Sequence, residues 1–216
     1  MNQSDSIRRI ETWLAAHAPR ILTESLNEGA TESELSGLEA AVGKPLPPDY
    51  KALYRWRNGL DEESGNLGSL FYGLSFMPLT EVAADLQSRL HDSKQVPLMR
   101  TQAPVKADNL LNPSWLRLGF DGSHTWLCVD LTPAPAGRYG QVIFVEEENQ
   151  AAFRVAESAE ALLAQFADDL EQGRYFLEPD ALEDGNEFLA ATESIDVVNW
   201  HHAPRWQSVL PPTAYN

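Results

Sequence analysis

Residues 115–130 constrain the fold more than any other part of the chain. Leu116, Leu118 and Phe120 alternate with other residues, the period-two pattern of a strand with one apolar face. Asp121-Gly122 follows, a dipeptide suited to the positive φ angles of a tight hairpin turn. Residues 125–130 then read as a second strand, which makes an antiparallel hairpin. A hairpin is marginal in water by itself, so this one needs further strands or helices against it.

The neighbouring residues supply both. Residues 142–145 read as a third strand and 153–155 as a fourth. The aromatic run 70–77 also reads as strand, closed by Pro78. Ser158 is placed to cap a helix carrying Leu162, Leu163, Phe166 and Leu170 at helical spacing, with Gly173 as its stop. Earlier, Thr31 and Glu34 form a capping box: the Thr31 hydroxyl accepts from the amide of Glu34, and Glu34 reaches back to the amide of Thr31. Leu35, Leu38 and Val42 continue that helix to Gly43. Pro45, Pro47 and Pro48 forbid helix until Pro48 opens the next one, which carries Tyr50, Leu53, Tyr54 and Trp56 and should end at Asn58-Gly59.

Thr80 is the expected cap for a helix with Leu79, Val82, Leu86 and Leu90 on its inner side. Ser4 or Asp5 starts a first helix with Ile7, Ile10 and Leu14 on one face, interrupted at Pro19. Residues 91–113 read as a loop with room for a short strand, and 180–192 as one more helix. Residues 197–216 carry Trp200, Trp206 and Tyr215 but no regular period, and are expected to dock on the protein or on a second copy. The pattern is that of an α+β protein. Its core should include Leu35, Leu38, Leu53, Leu118, Leu127, Val129, Val142, Phe144, Leu162, Leu163 and Phe166.

Charge narrows the range of partners. The net charge is −16, with 32 acidic against 16 basic residues. It is uneven: residues 1–142 carry a net −4 and residues 143–196 a net −13. Such a surface repels phosphate backbones, and neither Arg8-Arg9 nor Arg55 with Arg57 amounts to a basic patch, so nucleic acid is not an expected partner. A basic protein would be attracted and its docking speeded. Cys128 is the only cysteine, which fits a reducing compartment. There is no apolar signal segment and no run long enough to span a bilayer, so cytoplasmic location is the expectation, with no membrane partner. Oligomeric state is not legible.

Catalytic and metal-binding patterns are missing. There is no HExxH, CxxC or EF-hand spacing, and the adjacent His201 and His202 do not share a face of regular structure, so no metal site is expected. There is no G-x-S-x-G. Cys128 sits mid-strand between apolar neighbours. A hydrolytic set of Asp121, His124 and Asp130 lacks any sign of an oriented cleft. Gly65, Gly68 and Gly73 are too irregular for a phosphate cradle. The chain is therefore expected to be neither an enzyme nor cofactor-dependent. The candidate partner-binding residues are the acids Asp61, Glu62, Glu63, Asp121, Glu146, Glu147 and Glu148, with Tyr72 and Trp126 as aromatic anchors if exposed.

The order of segments resembles a known family. The capped helix leads to L-P-P-D-Y-K-A-L-Y at 46–54 and N-G at Asn58-Gly59. Then come P-L-T-E-V at 78–82, W-x-x-x-G-x-D-G at 115–122, and G-Q-V-I-F-V at 140–145 before an amphipathic helix. This is similar to the SUKH superfamily, in the branch with the fungal cell-wall-assembly regulators and many bacterial proteins. The resemblance implies one mixed, twisted β-sheet with helices packed around it over 31–173. An N-terminal helical segment at 1–30 and a C-terminal extension at 174–216 lie outside it. It also implies no shared catalytic constellation. Bacterial members commonly neutralise toxins, often nucleases, and fungal members are regulatory interaction proteins. A protein partner, most simply a basic toxin domain, is the expectation; a regulatory or ligand-binding module is the alternative.

Overall fold

The computed structural model describes residues 4–92 and 94–210. The hairpin comes first in importance. Strands β3 (Trp115–Phe120) and β4 (Thr125–Asp130) pair antiparallel, and β5 (Gln141–Glu146) and β6 (Ala151–Ala156) extend the meander. Two short strands complete the sheet: β1 (Ser75–Phe76) antiparallel to β3, and β2 (Arg100–Thr101) parallel to β6. The order is β1-β3-β4-β5-β6-β2, a mixed sheet, so the fold is α+β.

Each helix has a local cause. α1 (Asp5–His17) starts at Ser4, whose side chain accepts from the amide of Ile7. α2 (Glu32–Val42) has the full Thr31–Glu34 capping box and stops at Gly43 with φ of 67°. α3 (Pro48–Trp56) opens on its proline and ends two residues before Asn58. α4 (Leu79–His91) lies over β3, and α5 (Ala159–Glu171) begins at the Ser158 cap. All eleven expected core residues are buried. Register sorts the sheet faces. Leu127, Phe144 and Phe153 are paired across β4, β5 and β6 on one face, while Arg117, Cys128 and Ile143 are paired on the other, towards α4.

Four expectations are corrected. Leu90, expected on the inner side of α4, is 50% exposed near the helix end. Residues 70–77 are not one strand: a 3-10 turn at Phe71–Gly73 precedes β1, and Tyr72 sits at φ 58° and ψ 25°. Thr80 is not the cap of α4, because Pro78 precedes the first turn and Thr80 lies within it. Residues 180–192 are not one helix. β7 (Tyr175–Leu177) and β8 (Leu189–Ala191) form a small antiparallel pair, with only the short α6 (Pro179–Glu183) between them.

Beyond β8 the chain runs as a strap of turns to residue 210. Trp200 is 2% and Trp206 4% exposed, both against Phe153 of the sheet; Tyr215 lies outside the described residues. The buried carboxylate of Asp169 on α5 holds the strap. It accepts from Arg205 at 2.5 and 2.8 Å and from Arg174 at 2.6 Å.

Removing a partner from a buried ion pair strands the remaining charge. Asp169→Ala should therefore lower stability by about 3 kcal/mol, towards the low end for such sites because the arginines keep some solvent. Urea unfolding measures it, and a change below about 0.5 kcal/mol, the level of an ordinary surface substitution, would show that the triad does not hold the strap. Cys128 is buried, and burial pushes its thiol up to about 12. Native protein should react with a thiol reagent at least ~100-fold more slowly than unfolded protein, because only the exposed thiolate reacts.

Candidate functional site

An acidic cleft forms where four segments meet. Asn27, Glu28 and Gly29 come from the loop before α2, Glu34 from the first turn of α2, Asn58 to Glu63 from the segment after α3, and Pro78 to Glu81 from the start of α4. Its volume is about 440 Å³. Six carboxylates line it: Glu28, Glu34, Asp61, Glu62, Glu63 and Glu81.

Asn58 assembles the walls. Its Oδ1 accepts from the amide of Leu79 at 2.9 Å, taking the place of a side-chain cap at Pro78. Its Nδ2 donates to Glu34 Oε1 at 3.3 Å, and its own amide donates to the Glu28 carbonyl at 3.1 Å. Gly59 lets the segments touch. Its φ is 76°, and a Cβ there would stand 2.2 Å from the nitrogen of Pro78. The Asn-Gly pair after α3 thus builds the floor of the cleft.

Charge inside the cleft is unbalanced. Three acids close by in sequence are matched: Glu24 with Arg20, Glu32 with Arg55, Glu39 with Lys51. Among the described residues none of the six cleft carboxylates is in an ion pair. Burial, with Glu62 nearby, raises the Glu81 carboxyl above its ordinary value. The Thr31 hydroxyl and amide hold Glu34 below its own.

The other candidates gather elsewhere, at the β3–β4 and β5–β6 turns. Asp121 Oδ1 accepts the amides of Ser123, His124 and Thr125 and shapes the first turn. Glu147 accepts from Arg117 at 2.9 Å and from Trp126 Nε1 at 3.0 Å. Glu148 is exposed, with an oxygen 3.6 Å from His124 Nε2.

Three residues are not available as surface anchors. Tyr72 is 5% exposed: its amide donates to the Tyr175 hydroxyl and its ring meets Trp206 edge-on. Trp126 is 9% exposed, stacked on Phe120 at 3.8 Å with the Arg117 guanidinium 3.6 Å above it. Glu146 is 3% exposed and caps its own turn through the amides of Glu148 and Asn149. Glu28, Glu34 and Glu81 were missed. Glu28 and Glu81 are isolated acids in the sequence, and Glu34 is marked there only as the capping partner of Thr31.

Among the described residues no helix is long and apolar enough to cross a membrane. Residues 29–165 match the family model described as SMI1 / KNR4 family (SUKH-1). The cell wall assembly regulator SMI1 of Saccharomyces cerevisiae is 26% identical over 214 residues, covering 80% of this chain and 41% of that protein. The cell wall biosynthesis/cell cycle regulator smi1 of Schizosaccharomyces pombe is 27% identical over 192 residues, covering 82% and 38%. The glucan synthesis regulatory protein of Neurospora crassa is 26% identical over 217 residues, covering 83% and 40%. The chain spans about two fifths of the length of these relatives.

Asn58→Ala removes the hydrogen bond that caps α4. It should destabilise the fold by about 1–2 kcal/mol, the cost of losing a helix cap together with a partly buried partner. Hydrogen exchange at the Leu79 amide should rise in step, and unchanged protection there would show that Asn58 does not hold the two walls together.

Proposed function

The chain belongs to the SMI1/KNR4 (SUKH-1) family, and from that premise we propose that it is a non-catalytic binding module that docks a basic protein into the acidic cleft. One observation carries the reading. The cleft gathers six carboxylates and, among the described residues, none of them is in an ion pair, while Glu24, Glu32 and Glu39 are. Holding like charges together is unfavourable unless a partner relieves it. A cationic segment supplies that relief, and the net charge of −16 steers it in from a distance.

A nuclease toxin domain is the partner class that fits best. Its surface is built to hold phosphates, and a cleft of carboxylates presents the same sign of charge at comparable density. Neutralisation would follow from occlusion alone, with no catalysis. The names of the fungal relatives favour a second reading, a regulatory interaction module with a cellular partner. Both use the same cleft and differ in who fills it.

The raised pKa of Glu81 adds a sign. The native chain holds that proton more tightly than the unfolded chain, so this corner is stabilised at low pH and loses that contribution as pH rises through the carboxylate range. A bound cation pulls the other way. Partner affinity should therefore fall on acidification, as the carboxylates take up protons.

The test begins with a partner captured from lysate and its association rate. Between about 0.02 and 0.15 M salt the on-rate should drop by roughly tenfold. Replacing Asp61, Glu62 and Glu63 together by Lys should slow association by a similar factor and leave the fold intact, because all three are exposed. An on-rate indifferent to both would place the partner elsewhere. Reversal of Glu146 is unsuitable for this purpose, since that residue is buried.

A further inference from the structure

The two turns at the end of the sheet hold a second arrangement, independent of the cleft. His124 stands just ahead of β4, and Glu146 and Glu148 stand at the β5–β6 turn. One donor atom from each lies within 4.8 Å of the others, and His124 Nε2 is 3.6 Å from Glu148 Oε2. Around a single divalent ion with bonds of ~2.1 Å, neighbouring ligand atoms stand roughly 3–4 Å apart. Small side-chain rotations close the difference.

Each donor is already oriented by a neighbour. His124 Nδ1 meets Ser123 Oγ at 2.6 Å, which leaves Nε2 as the outward nitrogen. The Glu146 carboxylate accepts the amide of Glu148 at 2.6 Å and that of Asn149 at 3.2 and 3.0 Å, and still has lone pairs to offer. Hydrogen bonds of this kind preset metal ligands. Thr125 adds a separate observation. It is directly opposite Glu146 in the β4–β5 ladder, so both side chains leave the same face of the sheet. Its hydroxyl is buried and forms no hydrogen bond of ordinary length, although the Asp121 carboxylate lies near it. A metal-bound water beside Glu146 would give it a second polar neighbour. His201 of the strap faces Glu146, with Arg100 and His202 also near that imidazole, and Asp121 lies beside His124. Glu147 is not part of the set, being held by Arg117 and Trp126.

We propose that His124, Glu146 and Glu148 bind one divalent first-row transition ion, such as zinc or manganese, which clamps the β3–β4 turn to the β5–β6 turn. An imidazole with two carboxylates suits such ions, whereas calcium and magnesium prefer oxygen alone. Three protein ligands leave open positions for water.

Calorimetric titration of the full chain, after chelator treatment, tests this with zinc chloride and manganese chloride, and magnesium chloride for comparison. One ion per chain should bind at micromolar concentration or below, on the order of 10⁻⁶ M. His124→Ala and Glu148→Gln should each weaken it more than ~10-fold, and Ser123→Ala by up to ~10-fold through loss of the preset imidazole. Glu63→Gln should leave it unchanged. With wild-type protein alone, manganese should broaden NMR signals first at residues 121–126 and 144–151. No binding at ~100 µM of either transition ion, full binding by the His124→Ala/Glu148→Gln double variant, or broadening centred elsewhere would each overturn the proposal.

Discussion

One continuous chain of aromatic contacts holds the parts of this protein to each other. It runs from Phe144 and Phe153 on the sheet to Trp206 on the strap, then to Tyr72, Tyr175 and Phe166, and on through Phe71 and Phe76 to Tyr54 and Tyr50 on α3. Each ring buries a large apolar area, and the tilted and edge-on geometries add to it. Tyr72 pays for its place with a left-handed backbone, held by the Tyr175 hydroxyl on its amide. The polar anchors are subordinate to this column. Asp169 sits on the same helix as Phe166 and takes hold of Arg205, the residue before Trp206.

What could be read from the sequence was local. The Thr31–Glu34 box, Pro48 at a helix start, Asp121-Gly122 and Ser158 each act within four residues, and each appears in the structure. What could not be read depends on distant partners. An aromatic run at 70–77 has the composition of a strand, but contacts with β7 and β8 bend it at Tyr72. α4 is capped from Asn58, some twenty positions earlier, so Thr80 only looked like the cap. β7 and β8 are too short to show a period. Tyr72 and Trp126 were indistinguishable from exposed aromatics until the strap and Arg117 were seen to cover them. The same holds for the cleft: Asp61, Glu62 and Glu63 are adjacent in sequence, but Glu28, Glu34 and Glu81 join them only through the fold.

The residues that carried the family resemblance have a structural meaning. Asn58-Gly59 and Pro78-Leu79 touch each other, through the Leu79 amide and the close approach of Gly59 to Pro78. They make the scaffold of the cleft, while the carboxylates on its rim supply its charge. A framework of this kind fixes the shape of the cleft and leaves its charge to the residues on the rim.

The strap sets an order on the birth of the protein. The ribosome makes Phe153 and Tyr175 well before Trp200 and Trp206, and the sheet can pair before the strap exists. At roughly 5–20 residues per second, the aromatic face around Phe153 stays uncovered for about 3–10 s after it is made. During that interval the nascent chain offers an apolar surface that the finished protein never shows. A chaperone, or a second nascent chain on the same message, meets a different molecule from the one that later circulates.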